Sequence, residues 1–149
     1  MKGNHVKSAS EAPIPSDVLD HVSIAVPDLE AAADFYRNTF GCAVGDAIDV
    51  PEQGMRIAYV ALANIKIELM QPLDGASAVG KFLARNPAGG LHHVCMATPD
   101  ADEAAKAAPD AGLRVLGDGT PKPGHHGRKL FFLHPKDCAG TLIEIEEAD

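Results

Sequence analysis

The chain has 149 residues, 13 of them Lys or Arg and 21 Asp or Glu, giving a formal net charge of -8 with neutral histidines. That balance, with no basic block anywhere, excludes a nucleic-acid or anionic-membrane partner and points to a small soluble one, while the length suits one domain core. No apolar run approaches the roughly 18 residues of a membrane span, and Cys42, Cys95 and Cys138 lack paired ligand spacing, which indicates ordinary thiols in a reducing, cytoplasmic compartment.

Residues 1–17 mix Lys, Ser, Glu and proline without apolar periodicity and read as a flexible tail. They carry neither the apolar core of a signal peptide nor the Arg content of a transit peptide. Residues 18–26 alternate as a strand, with His21, Ser23 and Ala25 on one face and Val22, Ile24 and Val26 on the other. Asp28 is placed to cap a helix, Leu29, Ala32, Ala33, Tyr36 and Phe40 recur at helical spacing, and Gly41 offers the stop. That helix is expected to cover the Val22/Ile24 face.

Residues 44–50 predict a weaker strand, and Pro51, Glu52, Gln53 and Gly54 a turn that delivers a carboxylate. A hairpin over 55–62 and 65–70 follows, turning at Ala63 and Asn64. In its second strand Glu68 shares a face with Lys66 and Met70, and a charged group in so apolar a strand calls for a reason. Residues 77–85 carry Val79, Phe82 and Leu83 at helical spacing before Asn86 and Pro87 end the pattern, a connector between halves.

From His93 the chain repeats itself. His92 to Asp100 echo Asp20 to Asp28 at an offset of 72, and Ile143, Glu144 and Ile145 echo Ile67, Glu68 and Leu69 at 76. The second helix, from Asp100, has an almost purely alanine apolar side and is expected to stop or kink at Pro109. Strands are predicted over 113–116, 128–134 and 141–146, with a turn at 117–119 and a Pro/Gly/His loop over 120–127. Gly54 and Gly127 match at an offset of 73, so the turn bearing Glu52 corresponds to the one bearing His125 and His126, and the two should flank one cavity.

Each half therefore reads as strand, helix and three strands, an α+β chain with module one over 18–75, a connector over 76–90 and module two over 91–147. Each module supplies one His and one Glu. A lone histidine on a strand is usually a hydrogen-bonded core or surface residue, but the matched recurrence lifts His21, Glu68, His93 and Glu144 together as metal ligands. Two imidazoles and two carboxylates suit one borderline divalent ion per chain, Co, Mn, Zn, Ni or Fe(II). His92 and Asp20 hold equivalent places beside the two histidines and read as outer donors. Glu146, near the terminus, reads as solvated.

The runs 19–29, 51–54, 67–72, 90–95, 132–136 and 140–144 together resemble the vicinal-oxygen-chelate superfamily, within it the branch acting on methylmalonyl-CoA and ethylmalonyl-CoA. The likeness spans about residues 18–147. It implies two tandem βαβββ modules forming a cup-shaped mixed sheet around a metal, a homodimer, and interconversion of (2R)- and (2S)-methylmalonyl-CoA by 1,1-proton transfer through a metal-stabilised enolate. By that resemblance His21, Glu68, His93 and Glu144 fall on ligand positions, and Glu52 on an acid/base glutamate. Some relatives place Gln at Glu68. Glu144 is taken as the second acid/base, with His126 as its substitute, and His126 and Lys129 as substrate-binding; Lys136 is a further candidate for a phosphate. Two rival functions share the fold, a lactoylglutathione lyase and a metal-free protein that sequesters small molecules.

Overall fold

A computed structural model describes residues 11–149, and the expected tail thus lies partly outside the described residues. Two compact units emerge: residues 20–94, and residues 95–149 with the described stretch before Asp20. The division falls inside strand β1 (Val18–Ala25) and inside strand β6 (Gly90–Thr98), so the first unit takes in the connector and the start of the second repeat. The fold is mixed α+β, with nine strands and three α-helices among the described residues, and none of these helices is long and apolar enough to cross a membrane.

In the first unit, helix α1 (Leu29–Phe40) begins where Asp28 accepts the Ala31 amide at 3.0 Å and ends at left-handed Gly41, φ 69°. The predicted strand over 44–50 is two pieces, β2 (Ala43–Val44) and β3 (Ile48–Val50), both antiparallel to β4 (Met55–Ala61). The register slips by one between them, three residues over 45–47 facing only Ala58 and Tyr59, which is a bulge. Strand β5 (Lys66–Pro72) completes the hairpin and pairs in parallel with β1, setting Ser23 beside Glu68. One face of this sheet carries Val26, Ala58, Val60 and Leu69 against Leu29, Ala32 and Tyr36 of α1. On the other face Ala25, Ile57 and Met70 pack with Val79, Phe82 and Leu83 of α2 (Ala78–Arg85). The chain then returns past β1 at Gly89, φ 88°, where a Cβ would stand 2.5 Å from the Ala25 carbonyl oxygen.

In the second unit, helix α3 (Ala101–Ala107) is capped by Asp100 and gives way at Pro109 to a 3-10 turn, the expected stop. Its buried alanines, Ala101, Ala104, Ala105 and Ala108, are met by Phe131 and Leu133 of β8 (Lys129–Leu133) and Ile145 of β9 (Ile143–Glu147). Ile14, within the stretch read as tail, packs on the same cluster. The strand expected over 113–116 contracts to a single bridge, Val115 to Leu133, between left-handed Gly112 and Gly117. After a turn held by Asp118, which accepts from the Thr120 amide and hydroxyl, β7 (Lys122–Pro123) resumes pairing with β8. Both units thus break the second strand of the motif into short pieces along its partner, β4 in the first and β8 in the second.

Candidate metal centre and active site

In β1 the alternation sends His21, Ser23 and Ala25 to the face away from α1, and all three are buried. Glu68 faces the same side of β5, between Ser23 and Tyr59 in the register. His93 comes from the β6 residues belonging to this unit. The ligand atoms of His21, Glu68 and His93 all lie within 4.8 Å of one another, with His21 Nε2 3.9 Å from Glu68 Oε1 and the two imidazole centroids 5.9 Å apart. Three of the four sequence-derived ligands therefore meet inside one unit. The fourth, Glu144, is buried on β9 of the other unit, opposite Phe132.

Each histidine is held from behind by the residue that precedes it. His21 Nδ1 stands 2.8 Å from Asp20 Oδ2, and Asp20 is itself 3.6 Å from Lys66 Nζ. His93 Nδ1 stands 2.8 Å from His92 Nδ1, and the His92 ring rests edge-on against Phe82, centroids 5.1 Å apart. A proton on each Nδ1 makes Nε2 the lone-pair edge, the arrangement usual for metal-ligating histidines. Two imidazoles oriented in this way beside a buried carboxylate are a donor set that fits a divalent transition ion. Both outer donors were legible as neighbours in the repeat. Tyr59 was not: its hydroxyl donates to Glu68 Oε2 at 3.1 Å, and the alternation of β4 places it on this face, but no motif singled it out.

Glu52 lies exposed on a single 3-10 turn, Pro51–Gln53, closed by the Gly54 amide on the Pro51 carbonyl at 3.0 Å. Its counterpart is closed in the same way, Gly127 N to Gly124 O at 2.9 Å, with His125 and His126 at the tip. The equivalence of the turns holds, and their side chains differ. His126 Nδ1 accepts the Arg128 amide at 3.0 Å, which leaves the proton on Nε2, 2.7 Å from Glu146 Oε1. Burial pulls the His126 pKa down, against the raising influence of Glu146, which agrees with a neutral ring. The ring thus stands between the Arg128 amide and the Glu146 carboxylate, with Nδ1 turned to the first and Nε2 to the second.

One expectation changes. Glu146 is buried, 1% exposed, rather than solvated: Arg128 Nη2 approaches its Oε1 at 2.8 Å and the Cys95 thiol donates to Oε2 at 3.3 Å. Burial, with the Glu144 and Glu146 carboxylates alongside, pushes the Cys95 thiol well up, so it remains protonated. Lys129 stands on the α3 face of β8, on the opposite side of the strand from Leu130 and Phe132, and its ammonium meets Asp102 at 2.6 Å. It forms a surface ion pair. Lys136 sits in the 3-10 turn Pro135–Asp137.

Residues 20–132 match the family described as the Glyoxalase/Bleomycin resistance protein/Dioxygenase superfamily. The chain is 51% identical over 129 residues to the ethylmalonyl-CoA/methylmalonyl-CoA epimerase of Cereibacter sphaeroides, covering 87% of this chain and 96% of that protein. Against the mitochondrial methylmalonyl-CoA epimerase of Homo sapiens the identity is 45% over 130 residues, with 87% and 73% covered. Among solved structures, a methylmalonyl-CoA epimerase in complex with methylmalonyl-CoA and NH4+ superposes with a TM-score of 0.81 at 39% identity, over 89% of this chain and 95% of that one. The epimerase of Mycobacterium tuberculosis gives 0.81 at 30% identity, over 98% and 94%.

Proposed function

The chain belongs to the methylmalonyl-CoA epimerase family of the glyoxalase/bleomycin resistance/dioxygenase superfamily, and from that premise we propose that it interconverts (2R)- and (2S)-methylmalonyl-CoA by 1,1-proton transfer, with ethylmalonyl-CoA as a second substrate. The observation that carries the reading is the buried His21, Glu68, His93 cluster, whose residues recur at matched positions of the repeat. Glu144, the repeat counterpart of Glu68, is proposed as the fourth ligand on the same ground. A divalent cation on these groups would act as a Lewis acid toward the thioester and carboxylate oxygens, and one well-placed electrostatic donor of that kind is worth about 3 to 4 kcal/mol.

The chain's own part is to hold the acyl group and move one proton. At C2 the C–H bond breaks, its electron pair enters the thioester carbonyl, and the proton passes to a carboxylate on one face; a carboxyl already protonated on the other face then gives up its own proton to C2, which inverts the centre and leaves the two groups with their protonation exchanged. Glu52, on a rigid turn ahead of β4, is assigned to one face. Glu144 is assigned to the other. The free thiols Cys42, Cys95 and Cys138 accord with a cytoplasmic site of action, and the working assembly is proposed to be a homodimer.

Supplying pure (2R)-methylmalonyl-CoA to the metal-loaded protein tests the reading. Appearance of the (2S) form is expected. No interconversion would overturn it, and isomerisation of a glutathione hemithioacetal instead would transfer the chain to the lactoylglutathione lyase activity.

A further inference from the structure

The Glu68 side chain is gripped by hydroxyls from the two flanking strands. Ser23 Oγ donates to Oε1 at 2.8 Å from β1, and Tyr59 OH donates to Oε2 at 3.1 Å from β4. The three residues stand in one cross-strand row, since both Ser23 and Tyr59 pair with Glu68 in the register. Ser23 is fully buried and Glu68 nearly so, while Lys66 Nζ lies 5.2 Å from the Tyr59 ring centroid and weights that ring in place. A carboxylate pinned at both oxygens by strand-borne donors has lost its rotation about χ3, yet each oxygen keeps a second lone pair. An amide could not accept at both positions, because its nitrogen is a donor.

We propose that Ser23 and Tyr59 are positioning residues that fix the Glu68 carboxylate for a divalent cation, and that this pair of donors is what specifies Glu rather than Gln at position 68. The inference rests on the proposed metal site. Ser23 recurs in the repeat as Cys95, which in its own unit donates to Glu146, so the same position supplies a donor to a buried carboxylate in each half.

The test is calorimetric titration of Co2+ into the metal-stripped wild type, Ser23→Ala, Tyr59→Phe, Glu68→Gln and the Tyr59→Phe/Glu68→Gln double variant, with the visible spectrum of bound Co2+ recorded for each. Ser23→Ala and Tyr59→Phe are expected to weaken Co2+ binding about 10- to 100-fold, the usual cost of losing an outer-shell partner, and to alter the cobalt spectrum. Ser23→Cys should recover part of the loss. In the Glu68→Gln background the effect of Tyr59→Phe should fall below about threefold, because the clamp no longer exists. Wild-type binding retained by both single variants, or an equal loss from Tyr59→Phe in both backgrounds, would overturn the clamp while leaving the metal site standing. Absence of Co2+ binding by the wild type would instead remove the metal site on which the clamp depends. Melting of the metal-free forms separates folding from binding: if Tyr59→Phe is unfolded, Ser23→Ala decides.

Discussion

The two units repeat one chain plan and differ in where bulk and charge are placed on it. In the first, helix and sheet both bring bulk, Leu29 and Tyr36 against Val60 and Leu69; in the second, the helix brings only Ala101, Ala104, Ala105 and Ala108, and the sheet supplies the bulk with Phe131, Leu133 and Ile145. The second helix has given up its large groups, and the sheet side carries the volume there, as a core that tolerates redistribution of hydrophobic volume allows. Polar groups diverge more. The first unit clusters two histidines and a hydroxyl-bound carboxylate, whereas the second ties Glu146 to Arg128, His126 and Cys95. A repeat preserves strands and turns; it does not preserve the partners of the side chains those strands carry.

If the first unit alone contributes both imidazoles, His93→Ala should have the largest effect. Tight metal binding is expected to be lost, read as metal content after dialysis, and retention of a full equivalent would break the assignment. The matched turns sharpen the contrast next. Glu52→Gln should keep metal and fold while epimerisation drops by at least the roughly hundredfold expected of a general base, whereas His126→Gln, at a position whose Nδ1 is taken by the Arg128 amide, should remain within a few-fold of wild type. The reverse order would exchange their roles.

The charge cluster of the second unit predicts a stability effect in place of a catalytic one. Arg128→Met leaves Glu146 buried with only His126 and Cys95, and unfolding in urea should show a loss of about 2 kcal/mol, below the roughly 3 to 5 of a fully buried pair because Arg128 is partly exposed. An unchanged midpoint would mean that the ion pair is structurally idle. An effect of similar size is expected at the helices, where Ala104→Leu should cost about 1 to 3 kcal/mol by overpacking against Phe131 and Leu133. A neutral result would show slack under α3 that the alanine face was thought to exclude.

Sequence periodicity carried far in this chain. The caps at Asp28 and Asp100, the stop at Pro109, the hairpin at residues 62–65 and the equivalence of Gly54 with Gly127 are all local signals, each fixed by the backbone chemistry of a few adjacent residues. His21, Glu68 and His93 were legible because the repeat exposes pairs that no single motif would. What escaped depends on contacts across strands. Glu146 looked solvated because it is near the terminus, yet Arg128 and His126 reach it from the neighbouring hairpin. Lys129 looked free for a phosphate because Asp102, 27 positions earlier, is invisible as its partner until α3 is docked. The strand at 44–50 divided because its register with β4 slips by one residue, which pattern alone does not reveal.

The central claim is that this chain moves the proton at C2 of an acyl-CoA between two faces, and isotope exchange tests it most directly. The metal-loaded protein, incubated with (2R)-methylmalonyl-CoA in deuterated water, is predicted to yield both enantiomers with deuterium at C2, at a rate that tracks bound metal. Recovery of the (2R) thioester with its C2 proton intact, from protein shown to carry metal, would contradict the account.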